Sequence, residues 1–236
     1  MHKELHEWHS AALGRPMQLL WYGHWGRPLL AFPTSLGHAN QNEDFGLIGG
    51  LRDKIDGGLV QVCCVDAVDE EAWYNRGAHP ADRARRQDAY DRYLASEAAP
   101  FIRGKAERPD IISYGASFGG YHAANFGLRH PDLVSRIVAF SGLFDVHRFL
   151  AGYWDETCYY HCPSAYVVNY PPDWVERVSH LGIVVATGEH DHLASETRSF
   201  SDLLRRKGIP VQSELWPGVN GHDWGFWIDH LRKVLP

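Results

Sequence analysis

The stretch Ile111-Ile112-Ser113-Tyr114-Gly115-Ala116-Ser117-Phe118-Gly119-Gly120-Tyr121-His122 decides the fold. A short apolar run leads straight into Gly-x-Ser-x-Gly, and a helical stretch from Phe118 to Arg129 follows. A serine on so tight a strand-to-helix turn stands exposed at the carboxyl edge of a sheet, in the manner of a nucleophile elbow. The glycines have a steric purpose. Side chains at positions 115 and 119 would collide with the flanking strand and helix. The turn also aims the helix N-terminus and the Phe118 backbone N–H at the place where negative charge develops on a substrate oxygen. The bare pattern is weak, and its strand-before, helix-after context is what separates it from a Gly-rich turn with an incidental serine.

Outward from this stretch, strands alternate with helices. Upstream, Met17 to Tyr22 and Pro28 to Phe32 read as an antiparallel hairpin joined by Gly23-His24-Trp25-Gly26. Asp44 to Lys54 reads as a helix and Leu59 to Val65 as a largely apolar, β-branched strand. Asp82 to Phe101 has helical spacing, with Pro100 expected to kink or end it. Downstream come strands at 110–114, 136–141, 182–187 and 211–215, and helices at 118–129, 195–207 and 222–234. Such alternation requires right-handed crossovers and a mostly parallel sheet covered on both faces, with the hairpin as an antiparallel edge. The fold class expected is α/β, as a single domain over residues 1–236. Between Ser141 and Gly182 the connection far exceeds the usual span of roughly 2–6 residues, so 143–170 is expected to be a cap or lid insertion.

A serine needs a base and an orienting acid, which in this type of fold follow it in the order Ser, Asp/Glu, His. After the apolar strand Ile183 to Thr187 comes Gly188-Glu189-His190-Asp191-His192, which puts carboxylates at the carboxyl end of a parallel strand. Asp191 is the expected acid, with Glu189 and Asp223 as competitors. His222, on the Gly-bounded loop before the last helix, is the expected base. A second oxyanion donor belongs on the loop Pro33-Thr34-Ser35-Leu36-Gly37; the Ser35 N–H is the first choice and Leu36 the alternative. Leu36, Trp154 and Tyr159 are expected to contact substrate, the last two from an aromatic set in the insertion that packs on itself or lines an acyl or aryl pocket.

Composition removes other classes. With 23 Lys and Arg against 29 Asp and Glu the formal charge is −6. The longest basic cluster, Arg83 to Arg86, is bracketed by Asp82 and Asp88, so the basic surface of a nucleic-acid partner is missing. No apolar run approaches the roughly 18 residues of a membrane helix. Met1 to Ser10 carries Lys3, Glu4 and Glu7 where a signal peptide is apolar, so a cytoplasmic protein with no membrane partner is expected. Cys63-Cys64, Cys158 and Cys162 are too sparse for a disulfide scaffold and are expected to be reduced and buried.

The 15 histidines invite a metal reading: His2, His6 and His9 on one helix face, His190 and His192 flanking Asp191, or His161 between Cys158 and Cys162. None has four ligands in paired short spacings, so no metal and no cofactor are expected.

These residues resemble the α/β-hydrolase superfamily, and within it the esterase family that includes esterase D, feruloyl esterases and mycolyltransferases. The likeness spans Leu29 to Ser35, Ala72 to Asn75 with the Arg-rich helix and Pro100 to Arg103, Gly115 to Arg129, Gly188 to Asp191 and Gly221 to Trp224. It implies Ser117 as nucleophile, Asp191 as acid, His222 as base and an oxyanion hole from the Phe118 and Ser35 N–H groups. Pro33-Thr34-Ser35 stands where many relatives carry His-Gly, a departure that falls on the first oxyanion donor. The activity expected is serine carboxylic-ester hydrolysis through an acyl-enzyme on a small-molecule ester, by a monomer or homo-oligomer. An acyltransferase with the same residues and a non-catalytic binding module on the same fold are the alternatives.

Overall fold

The structure, a computed structural model, describes all 236 residues. Its frame is a sheet of eight strands: β1 (Lys3–Ser10), β2 (Arg15–Tyr22), β3 (Arg27–Ala31), β4 (Val60–Val65), β5 (Ile111–Ala116), β6 (Val134–Phe140), β7 (Gly182–Gly188) and β8 (Val211–Trp216). The spatial order is β1-β2-β4-β3-β5-β6-β7-β8. β1 and β2 run antiparallel to their neighbours, and every other pairing is parallel. β4 and β5 are buried at every position, which is why they read as largely apolar runs, broken only by Gln61 and Ser113, and not as alternating ones.

Five longer helices cover the sheet: α1 (Pro80–Tyr93), α2 (Ala99–Ala106), α3 (Phe118–Arg129), α4 (Ala194–Arg206) and α5 (Trp224–Val234). Neighbouring side chains on a strand divide between two cores. Leu30 and Cys63 pack with Tyr90, Ile102, Phe126 and Phe200 from α1 to α4, whereas Leu29 and Cys64 pack with Ile48, Ile55, Trp227 and Leu231 on the opposite face. The four cysteines are free and buried, as expected.

Several expectations at the amino-terminal side are corrected. β2 and β3 do not form a hairpin with each other; both pair with β4, one on each side, and the hairpin is β1–β2. The Gly23–Gly26 link instead carries the chain across the start of β4. A Cβ on Gly26 (φ +104°) would stand 2.3 Å from the Leu59 carbonyl carbon, so the glycine permits a close crossing and not a tight turn. Residues 3–10 are a strand, which puts His6 and His9 on opposite faces and dissolves the supposed shared helix face. The helix expected at 44–54 is three short turns, Gln41–Asp44, Leu47–Gly50 and Arg52–Asp56. Pro100 does not end its helix. A π-turn over Leu94–Ala98 widens the coil ahead of it, and its missing N–H falls in the first turn of α2.

Residues 143–170 form short helical turns at His147–Phe149, Glu156–Tyr160, Pro163–Tyr166 and Val167–Asn169. They are held from three sides. Glu196 of α4 accepts the Phe144 and Asp145 N–H groups at 2.6 and 2.8 Å, Arg83 of α1 donates to the Phe149 carbonyl at 2.8 Å, and Tyr121 of α3 donates to the His161 carbonyl at 2.9 Å. Leu143, Val146, Phe149 and Leu150 share a small core with Phe118, Tyr121 and Leu193 beside the turn at Ser117.

Candidate active site

Ser117 sits between β5 and α3 with φ 54° and ψ −124°, a conformation that costs a residue with a side chain of order 1–3 kcal/mol. Packing imposes it. A Cβ at Gly115 would lie 2.0 Å from the Gly119 carbonyl oxygen, and one at Gly119 would lie 2.5 Å from the Pro33 oxygen. Strand, helix and the 33–37 loop therefore approach more closely than any side chain allows, which bears out the steric reading of both glycines.

Loops from three strands bring the expected residues together. His222, between β8 and α5, places Nε2 3.2 Å from the Ser117 Oγ and Nδ1 3.0 and 3.1 Å from the two Asp191 oxygens. Asp191, just past β7, has a fully buried side chain that also accepts from the Thr187 hydroxyl at 2.9 Å and the Leu193 N–H at 2.8 Å. Burial pushes its carboxyl up, but these hydrogen bonds, with His222 foremost, hold it well below the usual carboxylate range. The competitors are occupied elsewhere. Glu189 accepts the Gly218 N–H at 2.8 Å, and Asp223 caps α5 by accepting the Phe226 N–H at 3.1 Å.

Trp227 stands edge-on to the His222 ring, centroids 5.0 Å apart, and donates its indole N–H to the Ser141 Oγ at 3.1 Å. Ser141, itself at φ 47°, lies beside Thr187 and so joins α5 to the pocket that holds the Asp191 carboxylate. Trp224 packs on Phe45 and Trp227 instead of on His222.

In the 33–37 loop three successive amides have different fates. The Thr34 N–H donates to the Gln41 Oε1 at 2.7 Å and the Leu36 N–H to the Asp69 Oδ2 at 2.9 Å, while the Ser35 N–H between them has no protein acceptor. Asp69 is also bonded, at 2.9 Å, to the Nε2 of His122 on α3, with both side chains buried. The Ser35 hydroxyl meets the Tyr74 hydroxyl at 2.8 Å, and the Tyr74 ring stands edge-on to Phe118 at 5.1 Å.

Of the residues expected to touch substrate, Leu36 is exposed on this loop. Trp154 is stacked on His147 at 4.3 Å. Tyr159 is not brought to Ser117: it lines a cavity of about 400 Å³ with Arg129, Tyr166, Tyr170 and Trp174. That cavity lies at the carboxyl end of α3, about 16–18 Å of helix from Ser117. Tyr159 and Tyr166 are drawn there because they pack on the core shared with Val167 and Val178.

Sequence reasoning missed Asp69, His122 and Ser141, and it weighed His192 only as one of a pair with His190 flanking Asp191 and set it aside. A carboxylate just past the end of a buried strand was a signal for Asp69; nothing local marked His122 or Ser141.

The sheet order, with its strand–serine turn–helix between β5 and α3, is that of an α/β-hydrolase. The chain belongs to the family described as Putative esterase, whose sequence model matches residues 58–236, and the family resemblance is thereby borne out. It is similar to an acetyl esterase of Caldicellulosiruptor saccharolyticus, 25% identical over 175 residues, a match that spans 65% of this chain and 65% of that one. Among solved structures, a ferulic acid esterase superposes with a TM-score of 0.77 at 18% identity, covering 100% of this chain and 96% of the other. An S-formylglutathione hydrolase from Staphylococcus aureus gives 0.68 at 17% identity, covering 98% and 94%. At these identities the two structures show the shared fold. No helix is long and apolar enough to cross a membrane.

Proposed function

We propose that the protein is a serine carboxylic-ester hydrolase that works through an acyl-enzyme on Ser117, with His222 as base and Asp191 as orienting acid. The observation that carries this reading is the unbroken relay from the buried Asp191 carboxylate through both His222 nitrogens to a serine hydroxyl on a strained turn. Neutral His222 holds its proton on Nδ1, facing Asp191, and accepts the Ser117 proton on Nε2 as the oxygen bonds to the ester carbonyl carbon. The imidazolium then returns that proton to the departing alkoxide, leaving the acyl group on Ser117. A water repeats the sequence, losing its proton to His222 and releasing the acid as Ser117 regains its own.

The carbonyl oxygen, negative in both tetrahedral intermediates, is received by the Phe118 and Ser35 N–H groups. The free Ser35 amide between two anchored ones supports Ser35 over Leu36. Residues 143–170, held by Glu196, Arg83 and Tyr121 and packed through Leu143 and Phe149 on Phe118, serve as a fixed wall beside Ser117 and not as a swinging lid. The likeness to an acetyl esterase makes a short acyl ester, such as p-nitrophenyl acetate, the first substrate to test.

Intact mass after brief exposure to a fluorophosphonate tests the reading. A single adduct is expected on the wild type, absent from Ser117→Ala and much slower to form in His222→Ala. A folded wild type that takes no adduct overturns the reading and favours a non-catalytic binding module.

A further inference from the structure

We propose that Asp191, His192 and His222 form a transition-metal site, and that a divalent ion such as Zn²⁺ bound there switches the hydrolase off. The inhibitory half rests on the serine-hydrolase reading above; the binding half does not. The His192 ring lies beside the His222 ring, centroids 4.5 Å apart, and turns its Nδ1 toward Oδ1, one of the two carboxylate oxygens that His222 faces. The Asp191 Oδ1 is 3.3 Å from the His192 Nδ1 and 3.1 Å from the His222 Nδ1, and the ligand atoms of all three residues lie within 4.8 Å of one another.

A tetrahedral zinc ion with bonds of about 2.0–2.1 Å keeps its ligand atoms about 3.3 Å apart. The two oxygen–nitrogen separations already meet that spacing. Closing the nitrogen–nitrogen separation falls to His192, whose side chain is 67% exposed and free to turn. Its exposed side leaves the fourth position to water. Two imidazoles and a carboxylate are donors suited to Zn²⁺, Cu²⁺ and Ni²⁺ and not to Mg²⁺ or Ca²⁺.

The consequence for catalysis follows from the tautomer. Neutral His222 has one ring proton, carried on Nδ1 opposite Asp191 in the active state. A metal on Nδ1 displaces that proton to Nε2, the atom that must accept from Ser117. The ring is then neutral, fully bonded and unable to act as the base, and Asp191 is turned from orienting acid to ligand. His192 takes no part in the acyl transfer itself, so it serves as the handle through which the ion captures His222.

Two other clusters offer metal ligands: Asp145, His147 and Cys162, and Glu4 with His2 and His6. Neither includes an atom of the catalytic relay, and they supply the controls. Ser117→Ala protein, and the same protein carrying His192→Ala, Cys162→Ser or His6→Ala, would be titrated with Co²⁺ and followed by visible absorption. The expected result is one set of intense tetrahedral bands that disappears with His192→Ala and survives the other two exchanges. In parallel, fluorophosphonate labelling with Ser117 intact would be timed in Zn²⁺, each variant compared with its own rate in EDTA. The zinc concentration for half-inhibition should rise in His192→Ala by more than the roughly 10- to 100-fold that losing an outer-shell partner costs a metal site. Bands or inhibition that persist unchanged in His192→Ala, or that vanish in Cys162→Ser, overturn the proposal. A wild type that fails to label in EDTA sinks the serine-hydrolase reading, and the cobalt titration still decides the metal site.

Discussion

Ser117 combines a chemical demand with a backbone cost. Its hydroxyl must project from the turn, and the turn holds φ at 54°, where glycine alone is at ease. Replacing the serine by glycine removes both hydroxyl and strain, while alanine removes only the hydroxyl. Ser117→Gly is therefore expected to be inactive yet more stable than Ser117→Ala by about 1 kcal/mol in urea unfolding, and equal stabilities would mean that no strain is stored there. Asp69 lies one residue-to-residue contact away from the proposed oxyanion donor. It anchors the Leu36 N–H to a carboxylate already fixed on His122, and under the proposed mechanism this makes it a positioning residue for the neighbouring Ser35 amide. Asp69→Ala should lower kcat by about 10- to 100-fold with little change in KM, part of what an oxyanion donor itself contributes. In Asp69→Asn the amide oxygen can still accept from Leu36 while its nitrogen faces His122, so most of kcat should return. A fall in KM-controlled binding alone, or no rescue by asparagine, would refute the positioning role.

Among the elements, α1 and α3 are joined by a buried ion cluster whose behaviour with pH can be worked out. Asp91 of α1 accepts from His130 at 2.9 Å and from the Arg129 Nε–H at 3.2 Å. Burial pushes its carboxyl up, but the His130 hydrogen bond and the Arg129 charge outweigh burial and hold it down to about 2. The folded value lies below the unfolded one of about 3.9, so the ionised group stabilises the native state by roughly 2 kcal/mol above that pH. This contribution is lost as pH falls from about 4 toward 2. Urea unfolding of Asp91→Asn should show lower stability at neutral pH and a shallower acid decline than the wild type; parallel declines would deny Asp91 its share. The π-turn ahead of α2 shows why element boundaries were hard to read. Pro100 predicts a kink or a stop, and the widened coil over Leu94–Ala98, which also turns Glu97 toward the β1–β2 hairpin, lets the helix run on through it.

At the scale of the whole molecule, the strand order reverses direction around β3, and the loops after β3, β5, β7 and β8 meet at the carboxyl edge of the sheet, where open α/β sheets bind ligands. The β1–β2 hairpin stands at the far edge and is tied down by Glu97, which accepts from the Trp8 indole at 3.0 Å, the Ser10 hydroxyl at 2.9 Å and the Ala12 N–H at 3.0 Å. Stability and activity should therefore separate: Glu97→Ala is expected to cost about 1–3 kcal/mol while leaving kcat/KM unchanged, and a matching loss of activity would show that the edge communicates with the site. The apolar runs at 60–65, 111–116 and 183–187, and the order of serine, acid and histidine along the chain, were legible in the sequence because strand burial and turn chemistry are local. For that reason Ser117, His222 and Asp191, which the fold brings within hydrogen-bond distance of one another, could be picked out from it as candidates. The pairing of β2 with β4 instead of β3, the anchoring of Leu36 by Asp69, the removal of Tyr159 to the far end of α3 and the approach of His192 to His222 were decided only by tertiary structure. Each depends on which loops and strands meet across the sheet, and that is set by the packing of segments tens of residues apart, which no local pattern encodes.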